Sequence, residues 1–517
     1  MNFYVSFLRM KKNLFVALLA LCATLVSAQE DWRVVRGECL PTGLPEHSYA
    51  DNNRLAHSKR LPAMNNQWDA TKTYKQLVIL LDFCDQTFSR NNIREDYERI
   101  LNESGYNESE GMGCMADYFR MQSDGLFNLQ FDVYGPYTVS QKAQPYESPD
   151  KDTRNYGQES FVEATKLFLE EHPEIDFSQY DWNGNGRVNQ VIFIYAGLTG
   201  NISNEICYGH IWPSTSSFPT ITTPDGKKIS NFTASGEIWP YNRSFGIGTI
   251  CHEFSHSLGL PDIYPAVNDW CYSICDEWDL MDGGNFTNYG WCPPNYTPLE
   301  KMLLGWLTPV ELTEPTSITD LKSVSEGGAV YRVMLSEDEN GNTADYLLLE
   351  NRQHIGWDKG APGRGLMVWY VHYVKSAWNS NTVNNRKNDP YFHPVYADSL
   401  NYDQWDDKVK AEGLSNYQNK NRMNSRYLST SPFPYMGNDS IPEAHITNIT
   451  MSDDGLVSFD FMGGKPSAIS TVTSYIDGSS PHYYNMQGQQ VNALKKGQVY
   501  IIRKADGTSQ KVISNLR

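Results

Sequence analysis

The chain has 517 residues, with 61 Asp and Glu against 43 Lys and Arg, which leaves a formal charge of −18. That deficit of positive charge argues against nucleic acid, whose phosphates are held by basic surfaces, and against an anionic membrane face. A hydrophobic share of 40% with 13% aromatics excludes wholesale disorder, and at roughly 150 residues per domain the length suggests about three units.

At the N-terminus Arg9, Lys11 and Lys12 precede the apolar run Leu14 to Val26, and Val26-Ser27-Ala28 offers small residues for cleavage. This is the order of a secretory signal peptide over residues 1–28. It predicts an exported protein, secreted or at the cell surface, that begins near Gln29 and has no transmembrane helix in the mature chain. Residues 29–74 are polar and precede the first convincing strand, as an N-terminal segment or a short propeptide. Loss of Cys22 with the signal leaves eight cysteines: Cys39, Cys84, Cys114, Cys207, Cys251, Cys271, Cys275 and Cys292. An even number in an oxidising compartment predicts disulfide bonds, whose pairing the sequence does not choose. A structural zinc cluster of Cys271, Cys275 and Cys292 is the alternative.

The first strand-like run is LVILLDF, Leu77 to Phe83. Further on, Asp181-Trp182-Asn183-Gly184-Asn185-Gly186 places oxygen-bearing side chains at alternate positions with glycines for tight turns. Asp181, Asn183 and Asn185 are therefore candidate Ca²⁺ ligands. The twelfth position is Ile192, so no bidentate Glu completes an EF-hand, and a turn capped by Asn and Gly is the competing reading.

The densest chemical signal is His252-Glu253-Phe254-Ser255-His256-Ser257-Leu258-Gly259-Leu260-Pro261-Asp262. Histidines four apart on a helix share a face and can bind one Zn²⁺, while the Glu between them is placed to act as general base on water. With 11 His in the chain, on the order of 0.01 such matches are expected by chance. At about 100° per residue from Ile247, the side chains of Ile250, Cys251, Phe254 and Leu258 form an apolar stripe. His252 and His256 fall at about 140° and about 180°, on a face expected to look into a cleft. Gly259 suits a left-handed helix end and Pro261 bars the helix from resuming, so Asp262 can return as a third ligand with the fourth position left for water. Structural packing of these histidines is the competing reading, and the opposed faces weigh against it.

From 310 to 463 the segments AVYRVML, ADYLLLE, GLMVWYVHY and GLVSFDF read as short strands between Gly, Asn and Asp turns. The stretch Asn379 to Asn438 is Asn-, Tyr-, Asp- and Ser-rich and reads as a loop-rich insertion covering the surface, with lining of a substrate cleft as the other option. Residues 464–482 form a linker by composition. Residues 483–517 alternate as a small β-module.

The motif HEFSHSLGLPDIY resembles that of the immune inhibitor A-type secreted zinc metallopeptidases, zincins with an extended HExxHxxGxxD pattern. LVILLDF, MADYFRMQSDGLFNLQFDVYGPY (115–137), FIYAG (193–197), WDLMDGG (278–284) and LENRQHIGWDKGAPGRGLMVWYV (349–371) are similar to family segments in the same order. The resemblance implies an α+β fold: a zincin, metzincin-like catalytic domain over 75–309, a β-rich domain over 310–463 completing the family core, and a small C-terminal β-tail. It further implies a zinc endopeptidase acting on protein or peptide substrates, with His252, His256 and Asp262 on the metal and Glu253 as base. Met281 resembles the family's Met-turn. A tyrosine two residues beyond that Met assists catalysis in some related enzymes; that position is Gly283 here, which leaves Tyr264 and Tyr289 as candidates. Cys39, within RGECLPTG, offers a thiolate that could hold the zinc in a latent form. The C-terminal tail resembles sorting domains of the type IX secretion route in Gram-negative anaerobes, implying secretion machinery as a partner. The rival class is a catalytically silent surface-binding protein on a zincin scaffold, which the intact Glu253 argues against.

Overall fold

The computed structural model describes residues 68–464, apart from 145–153, 202–204, 241–242, 267–273, 338–342, 387–389, 396, 398–434, 436, 438 and 442–443, and the strands of a small sheet after 464. The expected signal peptide, residues 29–67 with Cys39, the linker, and Cys271 lie outside the described residues.

The chain divides into two compact units, Met1–Gly463 and Gly464–Arg517. In the first, the strands β1 (Thr73–Asp82), β2 (Asn128–Thr138), β3 (Val191–Leu198), β4 (Ser214–Thr222), β5 (Lys228–Trp239) and β6 (Arg243–Ser244) form one sheet. Its order is β2-β1-β3-β5-β4, with β6 against β5. The β1–β2, β1–β3 and β3–β5 pairs are parallel, whereas β4 and β6 run antiparallel to β5. Helices α1 (Ile93–Asn102) and α2 (Met115–Gln122) connect β1 to β2, and α3 (Arg154–Glu171) connects β2 to β3. The expected α+β segregation is therefore corrected to a mixed α/β arrangement. Parallel neighbours need long crossovers, and these helices supply them.

Both faces of this sheet are covered, so β1 and β3 read as continuous apolar runs rather than alternating ones. The strand period of two still sorts their side chains. Val78, Leu80, Ile192 and Ile194 join one core, while Leu77, Ile79, Leu81, Val191, Phe193 and Tyr195 join the other. The second core is closed by Phe161, Ala164 and Phe168 of α3. The first receives α1, α2 and the metal-motif helix α4 (Gly248–Ser257), whose Ile250, Cys251 and Phe254 are buried in it. At about 1.5–3 kcal/mol for each large apolar side chain fully buried, this stripe is what seats the helix.

After α5 (Pro298–Leu303) the chain becomes β-rich, with α6 (Lys375–Asn379) as a short interruption. Strands β7 (Val310–Glu311), β9 (Tyr331–Glu337), β10 (Thr343–Arg352), β11 (Gly365–Val374) and β12 (Phe392–Pro394) form one sheet. A second combines β8 (Thr316–Leu321), β13 (Asp439–Ile441), β14 (Ile446–Met451) and β15 (Val457–Phe461). Leu348 of β10, Trp369 of β11 and Phe392 of β12 are buried in the same cluster as Phe254 and Met281. The apolar core thus runs across position 310 without a break.

The second unit contains β16 (His482–Tyr484), β17 (Gln490–Val491), β18 (Val499–Arg503) and β19 (Ser509–Ile513), paired in the order β17-β16-β18-β19 and all antiparallel.

The disulfide framework does not form among the six described cysteines, all of which are free thiols. Cys84 is exposed, and the other five are placed by their own local packing. Cys114 caps α2, its Sγ accepting from Asp117 N–H; Cys251 lies in the stripe of α4; Cys207 packs beside Trp239 and Phe245. Cys275 and Cys292 direct Sγ toward the carbonyls of Phe392 and Trp357 respectively, which also removes both from a shared zinc cluster.

Candidate active site

Helix α4 begins where backbones cross closely. A Cβ on Gly248 would lie 1.9 Å from the carbonyl oxygen of Asn285, so only glycine admits that approach. At the other end Gly259 has φ +104°. Gly259 N–H donates to His256 O at 3.0 Å and Leu260 N–H donates to Ser255 O at 3.2 Å. These two bonds form a Schellman motif that satisfies the last carbonyls and reverses the chain. The reversal has a chemical consequence: the carbonyl of Leu260 returns to accept a 2.8 Å hydrogen bond from His256 Nδ1. Asp262 follows, fully buried.

His252 is fixed in the same manner, its Nδ1 donating to Leu280 O at 2.8 Å. A carbonyl can only accept, so in both rings Nδ1 carries a proton, and in the neutral imidazole Nε2 is then the nitrogen with the lone pair. Both Nε2 atoms face Asp262 Oδ1, at 3.3 Å from His252 and 3.2 Å from His256. With the imidazoles neutral, three acceptors converge and repel one another unless a proton or a metal cation lies among them. Tetrahedral Zn²⁺ with ligand bonds of about 2.0–2.1 Å sets its ligands about 3.3–3.4 Å apart, so the spacing fits that ion. Burial disfavours the imidazolium of His252, yet Asp262 and Glu253 outweigh it and raise the pKa to about 9. The same field attracts a divalent cation. Among the described residues, His252, His256 and Asp262 are the one group of three His, Cys, Asp or Glu able to hold a metal.

The sequence placed the histidine face toward a cleft; instead the whole helix is buried, with His252, Glu253 and His256 at 4%, 5% and 6% exposure. The covering comes from the turn around Met281 and from residues 258–264. Ile263 N–H donates to Met281 O at 2.9 Å, and Met281 itself is fully buried. Glu253 Oε2 is buried and accepts no hydrogen bond from any described residue. Of the two tyrosine candidates, Tyr264 stacks beside the His252 ring at 6.4 Å, while Tyr289 is held by Trp239 and the Arg243 guanidinium.

Behind the Met281 turn lies a buried acid pair. Asp279 Oδ1 accepts from Met281 N–H at 2.7 Å, and Glu300 Oε2 accepts from Thr297 N–H and Oγ1 at 2.7 and 2.9 Å. The remaining oxygens, Asp279 Oδ2 and Glu300 Oε1, are buried with no hydrogen-bond partner among the described residues, a need that one proton shared between the two carboxyls would meet. Burial, reinforced by the Glu300 charge, holds Asp279 well above the carboxylate range; burial likewise pushes Glu300 up to about 7. Because these pKa values rise on folding, the folded chain binds the proton more tightly than the unfolded chain. Stability is therefore expected to fall as pH rises from about 4.5 through 7. Asp279→Asn, which keeps a donor toward Glu300, should flatten that slope in urea denaturation series at pH 5 and 7.5; an unchanged slope would sink the shared-proton reading.

The proposed Ca²⁺ residues follow the turn reading more closely. Asp181 accepts from Asn185 N–H and Gly186 N–H at 2.9 and 2.8 Å and pairs with Lys227 Nζ at 2.9 Å. The ammonium occupies the carboxylate that would anchor a cation, and Asn185 Oδ1 accepts from Arg187 N–H.

Asn381 was missed entirely. Its Oδ1 accepts from Asp262 N–H and its Nδ2 donates to Asp262 Oδ2, both at 2.7 Å. It lies in the stretch read as surface cover, which at this point reaches the site instead. No side-chain pattern connects positions 119 apart, and the Leu260 and Leu280 carbonyls carry no sequence signature at all.

Residues 63–298 match the family model of the immune inhibitor A peptidase M6 catalytic domain. The chain is similar to Immune inhibitor A of Bacillus thuringiensis subsp. alesti, 23% identical over 269 residues, which cover 44% of this chain and 39% of that protein. It is also similar to the pre-pro-metalloprotease PrtV of Vibrio cholerae serotype O1 (strain M66-2), 21% identical over 273 residues covering 46% of this chain and 30% of that one. The matched region thus spans well under half of either relative. The WDLMDGG run, the HExxH helix and Asp262 all fall inside the stretch, residues 63–298, that is similar to the immune inhibitor A peptidase M6 catalytic domain.

Proposed function

We propose that this chain is an exported zinc endopeptidase. The observation that carries the reading is the convergence of His252 Nε2, His256 Nε2 and Asp262 Oδ1, with both Nδ1 atoms committed to carbonyls and Glu253 on the same helix. A zinc ion held there supplies a Lewis acid that polarises a carbonyl and eases deprotonation of water. The chain's own groups do the rest. Glu253 takes a proton from the attacking water and delivers it to the leaving amine nitrogen, so one water is consumed and no net proton is released. The Leu280 and Leu260 carbonyls hold the two imidazoles in the tautomer that presents Nε2.

Export rests on the residue order of 1–28, and the module at 483–517 is proposed to engage secretion machinery. Among the described residues no helix is long and apolar enough to cross a membrane. Calcium is not part of the proposal, since Lys227 neutralises Asp181.

Metal content and casein cleavage of the mature chain test the reading. About one zinc per chain is expected, with cleavage abolished by a zinc chelator and restored by added zinc. Zinc without cleavage would favour the silent surface-binding reading. Cleavage that survives complete removal of zinc would overturn the mechanism.

A further inference from the structure

Asp262 has two carboxylate oxygens, and a carboxylate rotates readily about its last bond. Something must decide which oxygen faces the imidazoles. Oδ1 lies 3.2–3.3 Å from both Nε2 atoms, while Oδ2 accepts the 2.7 Å hydrogen bond from Asn381 Nδ2. The orientation of that amide is settled by the second contact: Asp262 N–H can only donate, so the atom 2.7 Å from it is the oxygen Oδ1. Asn381 thus grips one residue twice, at the backbone and at the side chain. It is 5% exposed and adopts φ +56°, a left-handed conformation that Asn tolerates better than most residues. Three residues on, Asn384 Nδ2 donates to Ile263 O at 2.8 Å and Phe392 O at 2.7 Å, which fastens the same loop to the segment after Asp262.

We propose that Asn381 is a positioning residue for the metal site. Its carboxamide fixes the rotation of the Asp262 carboxylate so that Oδ1 is presented to His252 and His256. The inference rests on the zinc reading above. It also extends the functional site beyond residues 63–298, because the group orienting the third ligand comes from the loop after α6. Removal of a group that orients a metal ligand typically costs 10- to 100-fold in metal affinity.

The test is zinc affinity of the full mature chain, stripped of metal and titrated with zinc against a competing chromophoric chelator. Asn381→Gly accepts the left-handed backbone and removes only the amide. It should weaken zinc binding about 10- to 100-fold. Should it fail to fold, Asn381→Ser carries the same test. Asn384→Ala loosens the loop without removing a contact to Asp262 and should leave the zinc Kd within about threefold of wild type. A role confined to fastening the loop would lower Tm in both variants and leave Kd unmoved, and that outcome would overturn the proposal. So would an equal loss of zinc affinity in Asn384→Ala. If wild type binds zinc tightly and Asn381→Gly matches it, the inference alone fails; if wild type binds none, the zinc reading fails with it.

Discussion

Glu253→Gln is expected to lower kcat about 1,000-fold while leaving bound zinc and KM close to wild type. The magnitude follows from what the side chain is asked to do. A positioned general base and acid contributes typically about 10²- to 10⁴-fold, and about 10³ corresponds to roughly 4 kcal/mol of transition-state stabilisation. Gln has the same shape, so α4 keeps its buried face, and neither His252, His256 nor Asp262 is altered. What is lost is the capacity of Oε2 to hold a proton, at a buried position where no described residue donates to it. His252→Ala is the informative contrast: zinc and activity should leave together, because one of three converging ligand atoms is gone. The paired measurement is zinc by elemental analysis and kcat on an internally quenched peptide. A Glu253→Gln enzyme within tenfold of wild type would remove Glu253 from the chemistry, whereas loss of zinc in that variant would show it acting through the metal site.

The site divides cleanly into what a one-dimensional pattern can carry and what it cannot. Helix α4 was legible because its requirements are local: two histidines at i and i+4, a glycine at the left-handed end, a proline to stop the helix, and an acid three residues beyond the glycine. The buried strands β1 and β3 were legible because both faces are covered, which produces an uninterrupted apolar run. Contacts between distant positions left no trace. The partners of His252 and His256 are backbone carbonyls, which every residue possesses. Asn381 sits in a stretch whose composition suits a solvated loop, and its role arises only because the chain folds back across 119 positions. Lys227 meets Asp181 across 46 positions, an ion pair that no local pattern announces. The cysteines misled for a related reason. An even number in an exported chain favours pairing in general, but packing decides each case, and Cys251 and Cys114 serve as a core side chain and a helix cap.

Arg352→Met is expected to cost about 3–5 kcal/mol at pH 7, a large share of the 5–15 kcal/mol that stabilises a typical domain. Half of this interaction could be read from sequence, because Glu350 and Arg352 are two apart on β10 and so share a face. The guanidinium is completely buried, with Nε on Glu350 Oε1 at 2.8 Å and Nη1 on Asp358 Oδ1 at 2.7 Å. Its Nη2 also donates to Tyr296 O at 3.1 Å, which fastens β10 to the loop ahead of α5. Replacement with Met fills much of the volume but leaves two buried carboxylates without their cation. Burial already holds Glu350 above its ordinary pKa despite Arg352. Without the arginine Glu350 should titrate higher still and take up a proton on folding. The penalty should therefore be greatest at neutral pH and shrink as pH falls toward 5. Neutralising the acids in the same background, with Glu350→Gln and Asp358→Asn, should recover much of the loss, because the damage comes from uncompensated charge rather than from a missing attraction. Urea denaturation of the single and triple variants at pH 7 and pH 5 measures each of these. An Arg352→Met protein within about 1 kcal/mol of wild type at pH 7 would mean that the guanidinium is not what compensates the two buried acids, and the triple variant would then gain nothing.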